Sequence, residues 1–252
     1  ARFSEGDVKR FVEAYYVPSN MFVVLLGPSA QEAEDLVRGY FGDWEAGDAP
    51  KLAYAERDNI PTLGGILSRE TTRQGIGSHY YSRGYPIDTY TSPDGIAIDA
   101  LSRLLWLRLR HALREMNAEF DKGVYRVYVE YTATSLHGLL QISFATRSGE
   151  FVKEAEKLID KEISLLCQKL VDCDEFSAVT SRMRSEYFDM HKSTMVSLAG
   201  RIIDAATNGD PDLVSFHKFP DELAALTRRK IMSVANRLLS DGYGRIVVHP
   251  AT

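Results

Sequence analysis

Apolar positions along this chain switch between a spacing of three or four and a spacing of two, and each switch marks a change of element. Val8, Phe11, Val12 and Tyr15 recur at helical spacing behind Ser4, so residues 4–16 predict an amphipathic helix with a serine cap. Pro18-Ser19-Asn20 breaks it, and the unbroken run Met21-Phe22-Val23-Val24-Leu25-Leu26 predicts a buried strand. A second helix follows Gly27-Pro28-Ser29 and carries Ala33, Leu36, Val37, Tyr40 and Phe41 before Gly42 ends it. Glycines, prolines and scattered charges fill residues 45–67, the best linker in the chain. Thr71 to Tyr85 is rich in β-branched and aromatic residues and predicts one strand, with Gly75-Ile76-Gly77 as a bulge or a close backbone approach within it.

Ser92-Pro93-Asp94 starts a helix whose stripe is Ile98, Leu101, Leu105, Leu109 and Ala112, widened by Leu104 and Leu107. Val124 to Tyr131 is almost pure β-former. Leu140, Ile142 and Phe144 alternate with wetter positions, so the two runs predict a hairpin. A long helix is expected over residues 150–171, and another from about Asp174 past Leu198. Asn208-Gly209-Asp210-Pro211 breaks the chain; Thr227 then caps a last helix ended by Gly242, and residues 245–250 close as a strand. Hairpin-paired strands with helices gathered in runs predict an α+β fold, a mostly antiparallel sheet with helices on one face.

Composition narrows the function. There are 30 Lys+Arg against 35 Asp+Glu, a net charge of −5 with no basic stripe, which argues against nucleic acid. With 44% hydrophobic residues the chain can build a core, and no apolar run approaches the ~20 residues of a membrane span. The start at Ala1 lacks the basic and apolar regions of a signal peptide and, without a Met, is expected to be either an excised or a processed piece. Cys167 and Cys173 are six apart, the spacing of two free thiols rather than of a redox or zinc pair, and they leave the compartment open.

No zinc motif is visible: His79, His111, His137, His191, His217 and His249 include no close pair that one helix face could present. Nucleophile-elbow and phosphate-loop motifs are also missing. Arg228-Arg229-Lys230, in the first turn of the last helix, reads as a solvated face rather than an anion site. Glu154/Glu156 and Asp172/Asp174 fall on exposed faces or caps.

Several segments together nonetheless resemble one family. Val8-Lys9-Arg10-Phe11 followed by Tyr15 to Gly27 (YYVPSNMFVVLLG), the Tyr40-Phe41-Gly42-Asp43-Trp44 close, Leu101 to Glu115 (LSRLLWLRLRHALRE), Gly123-Val124-Tyr125-Arg126-Val127, and Arg245 to Pro250 after Leu226-Thr227 and Val234-Ala235 are similar, in order, to insulinase/pitrilysin-like zinc metallopeptidases, which include the mitochondrial processing peptidases. The resemblance implies homologous α+β domains paired into halves that close around an unfolded peptide substrate. It implies that residues 1–48 are the last helix-strand-helix of a preceding domain, 49–65 a linker, and 66–252 a complete domain. The family's zinc motif, H-x-x-E-H, is absent here. The resemblance therefore implies a non-catalytic portion, inactive alone, with no cofactor of its own and zinc in a partner half, fused or separate.

By the same resemblance Arg114 and Tyr125 match the arginine and tyrosine that the non-catalytic half extends toward substrate, where a guanidinium and a phenol suit a developing oxyanion. The loop between them is longer here than in the family pattern. The structural alternative is that Arg114 caps its helix and Tyr125 packs between sheet and helix. The implied binding mode is addition of the peptide to a sheet edge, with residues 124–131 and 71–85 as candidates. The rival is a degenerate family member serving as scaffold or assembly subunit. Exposed apolar surface on residues 1–48 would favour self-association.

Overall fold

The computed structural model describes residues 3–27, 29–49, 63–120, 124–191 and 194–251; the side chains of 117–120, 124–125 and 190–191 lie outside that description. The chain divides into two compact units, one of residues 1–59 with 193–204, the other of residues 60–192 with 205–252.

In the smaller unit, α1 (Glu5–Tyr15) starts on a reciprocal cap: the Ser4 hydroxyl accepts from the Asp7 N–H while the Asp7 carboxylate accepts from the Ser4 N–H. A single 3-10 turn, Pro18–Asn20, follows, and α2 (Ala30–Phe41) is capped by Ser29. Neither helix buries a residue. The expected strand at residues 21–26 does not form. The segment is extended without a ladder, and Met21, Phe22, Val23 and Leu25 remain exposed. A strand needs a neighbour to take its N–H and C=O groups, and the described residues place none beside this one.

The larger unit is a five-stranded sheet with helices on one face. Its strands are β1 (Ile66–Arg73), β2 (His79–Ile87), β3 (Val124–Ala133), β4 (Gly138–Thr146) and β5 (Tyr243–Pro250), in the order β1-β5-β2-β4-β3. All pairings are antiparallel except β1 with β5. The single strand expected over 71–85 is therefore two strands that do not touch, joined at Gly75 (φ 78°), because β5 inserts between them. Only a glycine accepts that φ readily, so the pair of glycines marks a turn rather than a bulge.

The core lies between sheet and helices. α3 (Gly95–Phe120) buries Ile98, Leu101, Leu104, Leu105 and Leu109, the stripe seen in the sequence, against Tyr85, Leu140, Ile142 and Val247 of the sheet. α4 (Gly149–Gln168), capped by Ser148, adds Phe151, Ala155, Ile159 and Leu166. The helix expected past Leu198 is interrupted: α5 (Cys173–His191) ends, and α6 (Met195–Thr207) begins behind Thr194, whose Oγ1 accepts from the Ser197 N–H. α7 (Val214–Ala225) carries Pro220 and shows little periodicity. It is held by buried Asp210, which accepts from the Val214 and Ser215 N–H groups at 2.8 and 2.9 Å, and by Phe219 stacked on Tyr187. α8 (Arg228–Leu239) starts on Thr227 as expected and buries Ile231, Val234, Ala235 and Leu238.

Candidate functional site

On the helix side of the sheet, alternate residues of β2, β5 and β1 form a continuous polar chain. Arg83, 1% exposed, donates to the Tyr81 hydroxyl at 2.8 Å, the Tyr85 hydroxyl at 3.3 Å, Asp160 at 2.6 Å and Glu156 at 3.4 Å, and lies over the Tyr243 ring. Arg245 grips Glu156 with two bonds and reaches Ser68 and Glu70. Burial works against the Arg83 charge, but Tyr85, Tyr81 and Asp160 more than offset it and hold its pKa above the usual range. Burial pushes the Tyr85 hydroxyl up to about 12. Glu156, expected on an exposed helix face, is thus drawn into the interior by two arginines.

The chain ends at a histidine pair. The Nδ1 atoms of His79 and His249 are 2.8 Å apart, one donating and one accepting, and Glu70 lies 3.7 Å from the far nitrogen of His249. Burial first, then the neighbouring His249, lowers the His79 pKa from its ordinary 6.5. These three groups do not fit zinc. The two Nδ1 atoms are occupied by their bond to each other, and the carboxylate faces the other nitrogen of His249, so the three do not share one open point as zinc ligands do. Among the described residues no group of three or more His, Cys, Asp or Glu side chains is arranged to hold a metal ion.

The opposite face of the sheet is open. Tyr80 and Ser82 of β2, Ser143 and Ala145 of β4, Ile246 and Val248 of β5, and Arg126 and Tyr128 of β3 surround a hollow of about 590 Å³. That size is ordinary for a ligand pocket. Beside it runs the outer edge of β3, which among the described residues pairs only with β4. Arg114 falls on α3, which packs on the helix side of the sheet and so away from this hollow, and Tyr125 falls on β3, with which α3 is in contact. Arg114 is exposed and lies six positions before the helix end, so it does not cap it. Tyr125 lies where the β3–β4 register slips between Val124 and Val127, a bulge that changes which way residues point; its side chain is outside the description.

A second hollow, of about 940 Å³, lies among α3, α4, α5 and α8, but its charges are largely paired within the fold. Arg108 makes two 2.7 Å bonds to Glu175. Arg228 donates to the Val171 carbonyl, while Lys230 and Arg237 meet Asp94 at the start of α3. Arg229 and Lys230 remain exposed, as the solvated-face reading expects, while Arg228 and Lys230 are also tied to Val171 and Asp94. Sequence reading missed the Arg126/Tyr128 hollow, although the alternation of Arg126, Tyr128 and Glu130 with Val127 and Val129 carried the signal. The histidine pair, 170 residues apart in the chain, had none.

Residues 2–183 match the Peptidase M16 inactive domain. A zinc protease, PqqE, from Helicobacter pylori is 28% identical over 105 residues, 39% of this chain and 22% of that protein. Among solved structures, a protease from Helicobacter pylori superposes with a TM-score of 0.85 at 17% identity, covering 99% of this chain and 59% of that one. The peptidase M16 inactive domain from Pseudomonas fluorescens gives 0.79 at 17% identity, with 99% and 58% covered. The chain thus spans well under two thirds of the length of each of these relatives. With the matched residues covering most of its length, and the α+β layer agreeing with proteins of that kind, the chain belongs to the M16 peptidase family, as its inactive domain.

Proposed function

We propose that this chain is the zinc-free portion of an M16 metalloendopeptidase, shaping the chamber that holds an unfolded peptide while a zinc-bearing half, fused or separate, performs hydrolysis. In this reading residues 1–48 complete a preceding domain and 66–252 form the next. The free outer edge of β3 carries the proposal. An extended peptide can take up its unpaired N–H and C=O groups as an added strand. Of the two stretches considered for this role, β2 is paired on both sides, while β3 and β1 are the edges. Tyr125 lies on β3 itself and Arg114 on α3, which is in contact with β3, and in this reading the two side chains steady the substrate carbonyl as it becomes an oxyanion.

The test is fluorescence anisotropy of a labelled, unstructured peptide of about 20 residues, with and without chelator. Saturable binding untouched by chelator is expected, weakened about tenfold by Arg114→Ala/Tyr125→Phe, as loss of one or two charge-assisted bonds requires. Arg114→Ala should leave the melting temperature unchanged, because its side chain is exposed. An equal loss of stability and binding would make Arg114 a structural residue. No binding up to high micromolar would instead favour a scaffold subunit.

A further inference from the structure

We propose that the hollow on the open face of the sheet selects peptides carrying a large apolar residue and, two positions away, an aspartate or glutamate whose carboxylate pairs with Arg126. This rests on the reading of the chain as peptide-binding, with this part of the peptide crossing the open face of the sheet and not extending the β3 edge.

The apolar half is built by Ile246 and Val248 on β5, Tyr80 on β2 and Ala145 on β4. Ile246 is 50% exposed and Tyr80 48%, a concentration of apolar surface in water that a partner side chain would cover. The polar half is Arg126. Its one hydrogen bond among the described residues is a long one, 3.5 Å, to the Tyr128 hydroxyl, and no described carboxylate pairs with it. On the helix side of the same sheet Arg83 and Arg245 each engage at least one carboxylate, and Arg103, Arg108 and Arg237 of the helices do the same. Glu130, on the same row of β3, stands about 13 Å further along and does not line the hollow, so the charge presented there is positive. A planar guanidinium with open donors is matched by a carboxylate.

Spacing sets the motif. Three strand steps from β5 to β3 span about 14 Å across the sheet. On an extended peptide, residues two apart share a face about 7 Å apart, and their side chains cover the remainder. The Ser82 and Ser143 hydroxyls lie between, where the peptide backbone would pass.

The experiment is anisotropy with otherwise identical peptides of about 12 residues centred on Phe-Ser-Asp, Phe-Ser-Asn, Ala-Ser-Asp or Phe-Ser-Lys. The expected result is Phe-Ser-Asp bound about tenfold more tightly than the next two. Arg126→Ala should erase the preference for Asp over Asn, and Arg126→Glu should invert it toward Phe-Ser-Lys. Both variants replace an exposed side chain, and an unchanged melting temperature identifies them as folded. Equal binding of all four peptides, indifferent to Arg126→Glu, overturns this assignment while the peptide-binding reading stands. Absence of binding by any peptide overturns both. A concentration-dependent dimer lost in Arg126→Glu, with no peptide preference, would assign the face to a second copy of the chain and also overturn the proposal.

Discussion

Arg83 shows what it takes to keep a charge inside this fold. A buried guanidinium is unfavourable unless every donor finds an acceptor, and here two phenols and two carboxylates supply them. Glu156 serves two arginines, so the chain from Asp160 to His79 behaves as one network. Its acid-sensitive end is His79. Because folding lowers this imidazole's pKa from 6.5, the unfolded chain takes up the proton first as pH falls. Its contribution is fully present above pH 6.5 and is lost as pH drops from there through the lowered folded value. Glu70, lowered from 4.5 chiefly by its bond from Arg245, acts only in more acid solution. Thermal melts should show the midpoint falling by a few degrees between pH 7.5 and 5.5, and His79→Gln should flatten that slope. A slope unchanged in His79→Gln would remove the pair from the account.

At the scale of elements, the decisive event is the entry of β5 between β1 and β2. Gly242, at φ 143°, turns the chain out of α8 into that slot, and an added Cβ would fall against the carbonyl oxygens of Leu63 and Gly65. Gly242→Ala therefore combines backbone strain with a clash that flexible side chains cannot relieve. It should destabilise by about 2–4 kcal/mol, read as a lower urea midpoint with unchanged slope. A loss below about 0.5 kcal/mol would mean that the approach of β1 to β5 has slack. The caps, in contrast, are local: Ser4, Ser148 and Thr227 each bond the N–H three residues on. Local rules located the caps at Ser4 and Thr227 in the sequence, and could not locate the slot.

At the scale of the molecule, the smaller unit leaves apolar residues in water: Phe22 is 47% exposed and Leu25 47%, beside helices that bury nothing. Such a surface favours association, so sedimentation velocity should show concentration-dependent oligomers that Phe22→Asp/Leu25→Asp diminishes. A sharp monomer at all concentrations, identical in the variant, would refute this. The same segment shows where local reasoning stops. Six apolar residues in a row do suit a strand, but strandness is a property of a pair, and pairing is decided outside the segment. Periodicity, caps and breakers were enough to read α3, α4, α8 and the β3–β4 hairpin, because burial of one helix face or alternate strand positions is written in neighbouring residues. The ordered motifs carried the family, and with it the proposal, not the proof, of a role for Arg114 and Tyr125. Tertiary structure alone decided the strand order, the burial of Arg83, the meeting of His79 with His249, and the hollow beside Arg126. Each of these joins residues far apart in sequence, and the free energy that selects them belongs to contacts that exist only once the sheet has assembled.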